Sequence, residues 1–181
     1  MTPHPHQLYA VPFTEADQVR LVGFSCGGEP WSKHVAEWIL GSDVFDSMKR
    51  GTRVWLFETE AREIVGFGSI GTSRWKWPLP DGAYTKIVLL PMLGIAEQFI
   101  GQPSDPEWRY SLQIIEHLIA EARQLTHDWP DGAVDKLKWL ALTVHRDNAR
   151  AIRFYERCGF KRTPRGERNN GHIVMSVWIG D

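Results

Sequence analysis

Cysteine is nearly absent, with Cys26 and Cys158 the only two in 181 residues. They stand far apart, which excludes a disulfide framework, and their spacing fits no metal site; two free thiols and no metal are expected. Neither sign of charge is in excess, since 21 basic against 22 acidic residues leave a net charge of −1. That balance argues against nucleic acid as a partner and against a membrane surface, while leaving room for local basic patches. No apolar run has the length to span a bilayer, and the opening Met1-Thr2-Pro3-His4-Pro5-His6 lacks the charged start and apolar stretch of a signal peptide. Cytoplasm is the expected compartment. Internal repeats and a domain linker are also missing, so residues 1–181 are expected to form a single domain.

What the chain does have is material for a core. Apolar residues make up 43%, nine of them tryptophan, and a domain of this length buries roughly 70% of its unfolded surface. Leu8 to Phe13 alternates as a first strand. Thr14-Glu15-Ala16-Asp17 can cap a short helix, although Val19 to Cys26 could equally be extended before Gly27-Gly28. From Pro30 a helix puts Trp31, Val35, Trp38 and Ile39 on one face, and a second carries Val44, Phe45 and Met48 inward and stops at Gly51. Thr52 to Thr59 and Glu63 to Gly71 form a hairpin. Within it Gly66 and Gly68 indicate a close backbone approach or a bulge. Ser73 to Tyr84 is a loop by its prolines and Asp-Gly, unusual in carrying Trp75 and Trp77.

Lys86 to Ile100 is the longest apolar run, and Pro91 and Gly94 within it predict a strand with a local irregularity. Ser104-Asp105-Pro106-Glu107 has the form of a capping box before an amphipathic helix through Leu112, Ile115, Leu118, Ile119, Ala122 and Leu125. A loop at 130 to 132 follows. Phe160 to Thr163 and His172 to Ile179 are the last strands, around the polar loop Pro164 to Gly171.

The sharpest change of period lies in Trp139 to Phe160. Trp139 to Val144 suits a strand buried on both faces. At His145-Arg146-Asp147-Asn148 the pattern breaks, and Asp147 or Asn148 can cap a following helix in which Ala151, Ile152, Phe154, Tyr155 and Cys158 recur at helical spacing. Gly159 closes it. Leu142-x-Val144 followed by Asn148-x-x-Ala151-x-x-x-Tyr155-x-x-x-Gly159-Phe160 resembles the segment that follows the splayed central strands of the Gcn5-related N-acetyltransferases (GNAT), and the order of elements matches that fold along nearly the whole chain. The resemblance implies an α/β fold: a single mixed, mostly antiparallel seven-stranded sheet, splayed between strands 4 and 5 and flanked by about four helices.

The same resemblance implies a site for acetyl-CoA as acyl donor. The fourth strand, Lys86 to Ile100, parts from the fifth, Leu137 to Val144, and main-chain groups freed by a bulge bond the pantetheine arm, with Gly94 and Ile95 at the acetyl end. The pyrophosphate cradle falls on Gly101 and Gln102 and then on Arg109, Tyr110 and Ser111, which stand where the family pattern ends in Gly-x-Gly/Ala. Ile100 replaces the usual Arg or Gln, and Pro103 to Trp108 reads as an insertion. Arg109 can offset the lost glycines with charge and paired donors. Asn148 bonds the coenzyme, caps its helix, or does both. Tyr155 matches the family tyrosine that protonates the departing thiolate, against a plain reading as a packed core residue. Glu97 and His145 are the candidates for a general base.

The resemblance further implies an amine acceptor, approached through Trp31 to Leu40, Ser73 to Tyr84 and Pro164 to Gly171. Trp75 and Trp77 suggest an apolar wall, and Lys161, Arg162, Arg165 and Arg168 an acidic acceptor. The expected function is acetyl transfer from acetyl-CoA to a primary amine of a small molecule or peptide, with room for a homodimer. Two rivals stand beside it: a non-catalytic acyl-CoA-binding regulatory module, motivated by the altered cradle, and a toxin-like aminoacyl-tRNA acetyltransferase, to which Phe24-Ser25-Cys26-Gly27 bears a faint likeness.

Overall fold

The computed structural model describes residues 4–76, 84–129, 137–167 and 171–180. They form eight strands: β1 (Tyr9–Pro12), β2 (Arg53–Glu58), β3 (Ile64–Lys76), β4 (Tyr84–Leu89), β5 (Leu93–Ile95), β6 (Trp139–His145), β7 (Lys161–Glu167) and β8 (His172–Trp178). Four α-helices, α1 (Pro30–Leu40), α2 (Asp43–Lys49), α3 (Tyr110–His127) and α4 (Ala149–Arg157), and three short 3₁₀ segments complete the order. The sheet is mixed and runs β1-β2-β3-β4-β6-β8-β7, with β5 paired to β3 off that path. Only the β4–β6 pair is parallel among the pairings described.

The chain divides into two compact units, one of residues 1–69 and 92–118, the other of residues 70–91 and 119–181. In the first, Ala36, Trp38 and Ile39 of α1 and Val44 of α2 build a core with Phe13, Val54, Leu56 and Phe67. Thr14 starts the 3₁₀ segment Glu15–Leu21 as a cap, its amide and hydroxyl both donating to Asp17. That segment is anchored by Arg20, whose guanidinium lies 2.7 Å from the buried Glu58 carboxylate, with Arg62 on the other oxygen at 3.1 Å. No apolar pattern could announce this ion pair, because a lone glutamate ending a strand reads as a turn residue.

In the second unit Ile87 and Ala141 are buried with Trp75, Leu89 and Trp139 packed on them. Here the expected loop from Ser73 is corrected. β3 continues to Lys76, and Trp75 stands opposite Thr85 in a regular antiparallel ladder, so cross-strand pairing overrides the turn signals, which lie further on. Trp77 falls outside the described residues. The polar loop from Pro164 is likewise shorter than expected, since β7 runs to Glu167 after a register shift between Arg162 and Glu167. Arg168 and the side chain of Arg165 lie outside the description. Arg162 is committed to Glu156 at 3.3 Å.

The eighth strand arises where seven were expected, because the long apolar run is two strands rather than one. Gly71 stands opposite Leu89, whereas Ser69 N–H already donates to Met92 O at 3.0 Å. Ile70 alone therefore faces both Leu90 and Pro91, a one-residue bulge. Proline fits there because the ladder asks no donor of it. Gly94 has a different purpose: a Cβ would stand 2.8 Å from Cys26 Sγ and 3.0 Å from Val35 Cγ1, so packing excludes a side chain.

Candidate active site

Among the described residues β5 is paired with a strand on one edge only. Ala96 N–H donates to Val65 O and Ser69 N–H to Met92 O, which makes Phe67–Gly94 the bonded pair between them. Leu93 and Ile95 fall between bonded pairs and turn their N–H and C=O groups away from β3. Among the described residues no strand pairs with β5 on that side. The Ile95 amide faces the buried Cys26 thiol, whose pKa is pushed up to about 12 by burial, with that amide opposing the rise. Glu97 follows at the start of the 3₁₀ segment Glu97–Phe99, exposed, with its amide donating to Ser25 O at 2.8 Å.

The region expected to be the pyrophosphate cradle is rebuilt. Gly101 has φ +83°, and the Gln102–Pro103 peptide is cis. The cap at Asp105 serves only the 3₁₀ turn Pro106–Trp108, accepting from Glu107 N–H at 3.0 Å, and α3 starts later, at Tyr110. Several amides expected to face an anion already have partners: Gln102 N–H donates to Phe99 O, Tyr110 N–H to Gln102 O, and Leu112 and Gln113 N–H to Arg109 O. The Tyr110 ring is buried against Phe99 at 5.7 Å between centroids. What remains for an anion is the Ser111 amide, which has no backbone partner among the described residues, and Arg109, whose Nε is buried with no hydrogen-bond partner among them. A buried, unmatched guanidinium donor costs about 1–3 kcal/mol, and a charged acceptor would relieve it.

The N-terminal segment covers this turn, a feature that no local signal foretells. His4 stacks on Trp108 with centroids 3.5 Å apart and planes 6° off parallel. Gln113, on the second turn of α3, donates to His6 O and Trp108 O at 2.9 and 2.8 Å and accepts from Leu8 N–H at 2.9 Å.

In the second unit the parallel β4–β6 pairing lasts two residues, Val88↔Leu140 and Leu89↔Ala141, with Leu90 N–H donating to Ala141 O. From Leu142 to His145 the described pairing of β6 is with β8 alone. His145 ends the strand edge-on to His172 at 5.3 Å, and its Nδ1 accepts from Asp147 N–H at 3.3 Å. Asn148 caps α4, its side chain accepting from Ala151 N–H at 3.1 Å. Arg150, Arg153 and Arg157 are exposed, while Ile152 and Tyr155 face inward. Gly159, with φ +88°, ends the helix. Tyr155 is 9% exposed between Phe154 and Phe160. Burial above all, with Cys158 adding, raises its phenol pKa, so the group is a held proton.

Neither Cys26 nor Cys158 is in a disulfide. No group of three or more His, Cys, Asp or Glu that could hold a metal stands among the described residues, and none of the described helices is long and apolar enough to cross a membrane.

The mixed sheet, with a bulge between β4 and β5 and a capped helix α4 after β6, is the arrangement of the GNAT fold. Solved structures agree. A Tyr-to-Phe mutant of the toxin AtaT, bound to the C-terminus of the antitoxin AtaR and acetyl-CoA, matches 95% of this chain and 93% of its own at 16% identity and a TM-score of 0.65. AtaT complexed with acetyl-methionyl-tRNAfMet matches 93% and 94% at 18% identity and a TM-score of 0.64. A protein of Desulfovibrio desulfuricans assigned to the GNAT family matches 96% and 100% at 17% identity and a TM-score of 0.60. No protein-family model matches the chain, and no curated protein matches its sequence. Identities this low carry the fold. The expectation that nucleic acid is an unlikely partner draws no support from the second neighbour.

Proposed function

We propose that this chain transfers an acetyl group from acetyl-CoA to a primary amine by direct attack. The observation that carries the reading is Tyr155, a buried phenol on the inner face of α4 whose raised pKa keeps it protonated through the neutral range. As the amine nitrogen attacks the thioester carbonyl, the C–N bond forms, the C–S bond breaks, and the departing sulfur takes the Tyr155 proton. The phenolate then recovers a proton from solvent. A positioned acid of this kind is worth about 10²- to 10⁴-fold in rate. Glu97, exposed and just beyond β5, is the proposed acceptor of the proton the amine loses.

The donor is held by main chain and by charge. Leu93 supplies an outward-turned N–H and C=O, and Ile95 its C=O, for the pantetheine and acetyl end, and Gly94 lets β5 pack closely enough to present them. At the phosphates, Arg109 and the Ser111 amide do the work that glycine-loop amides would otherwise do, with Gly101, Gln102 and Tyr110 shaping the turn. Asn148 caps α4 and lies near its start, where a second polar contact to the coenzyme is available. The reaction as proposed needs no metal, and the cytoplasm is its proposed setting.

A second reading concerns what carries the amine. AtaT is structurally similar and is seen with acetyl-methionyl-tRNA, so an aminoacyl-tRNA α-amine is the rival to a small-molecule or peptide amine. Free thiol released from acetyl-CoA should be measured across a panel of small amines, peptides and charged tRNAs, with wild type and Tyr155→Phe. The reading expects turnover with at least one acceptor and its collapse in the variant. Turnover equal in both would remove Tyr155, and acetyl-CoA binding without turnover on any acceptor would favour the regulatory module.

A further inference from the structure

Ser69 is fully buried, at 0% exposure, on β3 where an apolar side chain would be expected. Its hydroxyl donates to Met92 O at 3.0 Å and accepts from Met92 N–H at 3.1 Å, while its own N–H also donates to Met92 O at 3.0 Å. In a regular antiparallel pair the Met92 amide would donate to the Ser69 carbonyl. Here, one residue after Leu90 and Pro91, the hydroxyl takes that proton instead. Met92 is thus tied by three bonds to one serine, directly before Leu93, the residue whose N–H and C=O turn away from β3.

A bulge is prone to slide, because moving the extra residue by one position exchanges one set of ladder bonds for another. The Ser69 hydroxyl stops this by supplying a donor and an acceptor that the slipped arrangement would leave unmatched in a buried place. The opposite face of β3 is pinned too: a Cβ at the adjacent Gly68 would stand 2.6 Å from Leu118 of α3, so the helix rests directly on the strand.

We propose that Ser69 is a positioning residue for the acyl transfer: by locking Met92 it fixes the direction in which Leu93 offers its main-chain N–H and C=O to the thioester end of acetyl-CoA. This rests on the acetyl-CoA reading above. A main-chain donor aimed at a developing oxyanion loses its effect when it swings by a fraction of an ångström, because the site cannot reorganise at the moment of reaction.

The test compares wild type with Ser69→Ala, with Ser69→Thr, which keeps the hydroxyl, and with Ile179→Val, a change at a buried residue after β8 that has no part in the proposed site and lowers stability alone. Affinities for acetyl-CoA and for CoA, which has no thioester carbonyl, are measured by calorimetry, kcat with the best amine of the panel, and amide exchange at Met92 and Leu93. Ser69→Ala should lower kcat by about tenfold to 100-fold, reduce the preference for acetyl-CoA over CoA while leaving CoA affinity unchanged, and speed exchange at Met92. Ser69→Thr should recover part of the kcat, and Ile179→Val should keep all of it. Should Ser69→Ala not fold, Ser69→Cys, nearly isosteric and a weaker hydrogen-bonding group, replaces it with the same expectations. A wild type that binds both ligands beside a serine variant with unchanged kcat and preference would overturn the role of Ser69 alone. A wild type that binds neither would remove the acetyl-CoA reading, and the proposal with it.

Discussion

The starts of α3 and α4 solve one problem in opposite ways. Each helix leaves its first amides without partners inside the helix. At α4 the answer is local: Asn148 reaches three residues ahead to Ala151 N–H. At α3 no side chain caps the start: Tyr110 N–H donates to Gln102 O across the preceding turn, Leu112 and Gln113 N–H return to Arg109 O, and the Gln113 side chain ties that turn to residues 107 and 105 positions away. A local cap leaves a helix start recognisable in any sequence that contains it. A remote one hides it, and frees the turn to be reshaped around a single arginine.

The largest test of this contrast is Tyr155→Phe on α4, expected to lower kcat by about 10²- to 10⁴-fold while acetyl-CoA affinity holds. Steady-state rates beside calorimetry would check it. The pH dependence follows from the direction of the shift. A phenol raised by burial favours the folded, neutral form, so that contribution is fully present below the ordinary phenol pKa near 10 and is lost as pH rises beyond it. Cys26 behaves alike from pH 9.0 to about 12. Alkaline unfolding should therefore be less steep in Tyr155→Phe and in Cys26→Ala than in wild type.

Arg109→Ala probes α3 next. Losing a charged contact should weaken acetyl-CoA by about tenfold to 100-fold with kcat at saturation intact, and unchanged binding would show that the rebuilt turn works without its arginine. Gln113→Ala comes third. It releases the N-terminal segment and strands buried main-chain groups, at about 1–3 kcal/mol of stability, visible as faster exchange at Leu8. If the melting temperature does not move, the remote assembly is ornamental. The smallest effect belongs to Asn148→Ala, about 1 kcal/mol from a lost cap. Asn148→Ser should restore stability, and if it nevertheless weakens acetyl-CoA, the amide touches the coenzyme as well.

The two helix starts also explain what could be read in advance. Leu142, Val144, Asn148, Tyr155 and Gly159 lie within one strand–turn–helix unit, where period and capping are properties of neighbouring residues, and the structure agrees with that reading. The irregularity from Pro91 was legible for the same reason, since a missing amide is a covalent fact. Gly94 was legible as special but for another purpose: Cys26 and Val35, distant in sequence, supply the reason. Ser104 to Glu107 reads as a capping box before α3, but a capping pattern looks the same before a 3₁₀ turn as before a long helix, and here Asp105 caps Pro106–Trp108.

By itself the sequence determined the alternation of strands and helices, the break at Pro91, the cap at Asn148 and the inward place of Tyr155, all set by bonding and periodicity over a few residues. Tertiary structure alone decided that the broken strand counts as two, that Ser69 closes the bulge, that Glu58 is buried between Arg20 and Arg62, and that residues 4 to 8 cover the start of α3. Those depend on which distant groups meet, and a hydrogen bond or a close packing contact forms only once the chain has brought them within a few ångströms.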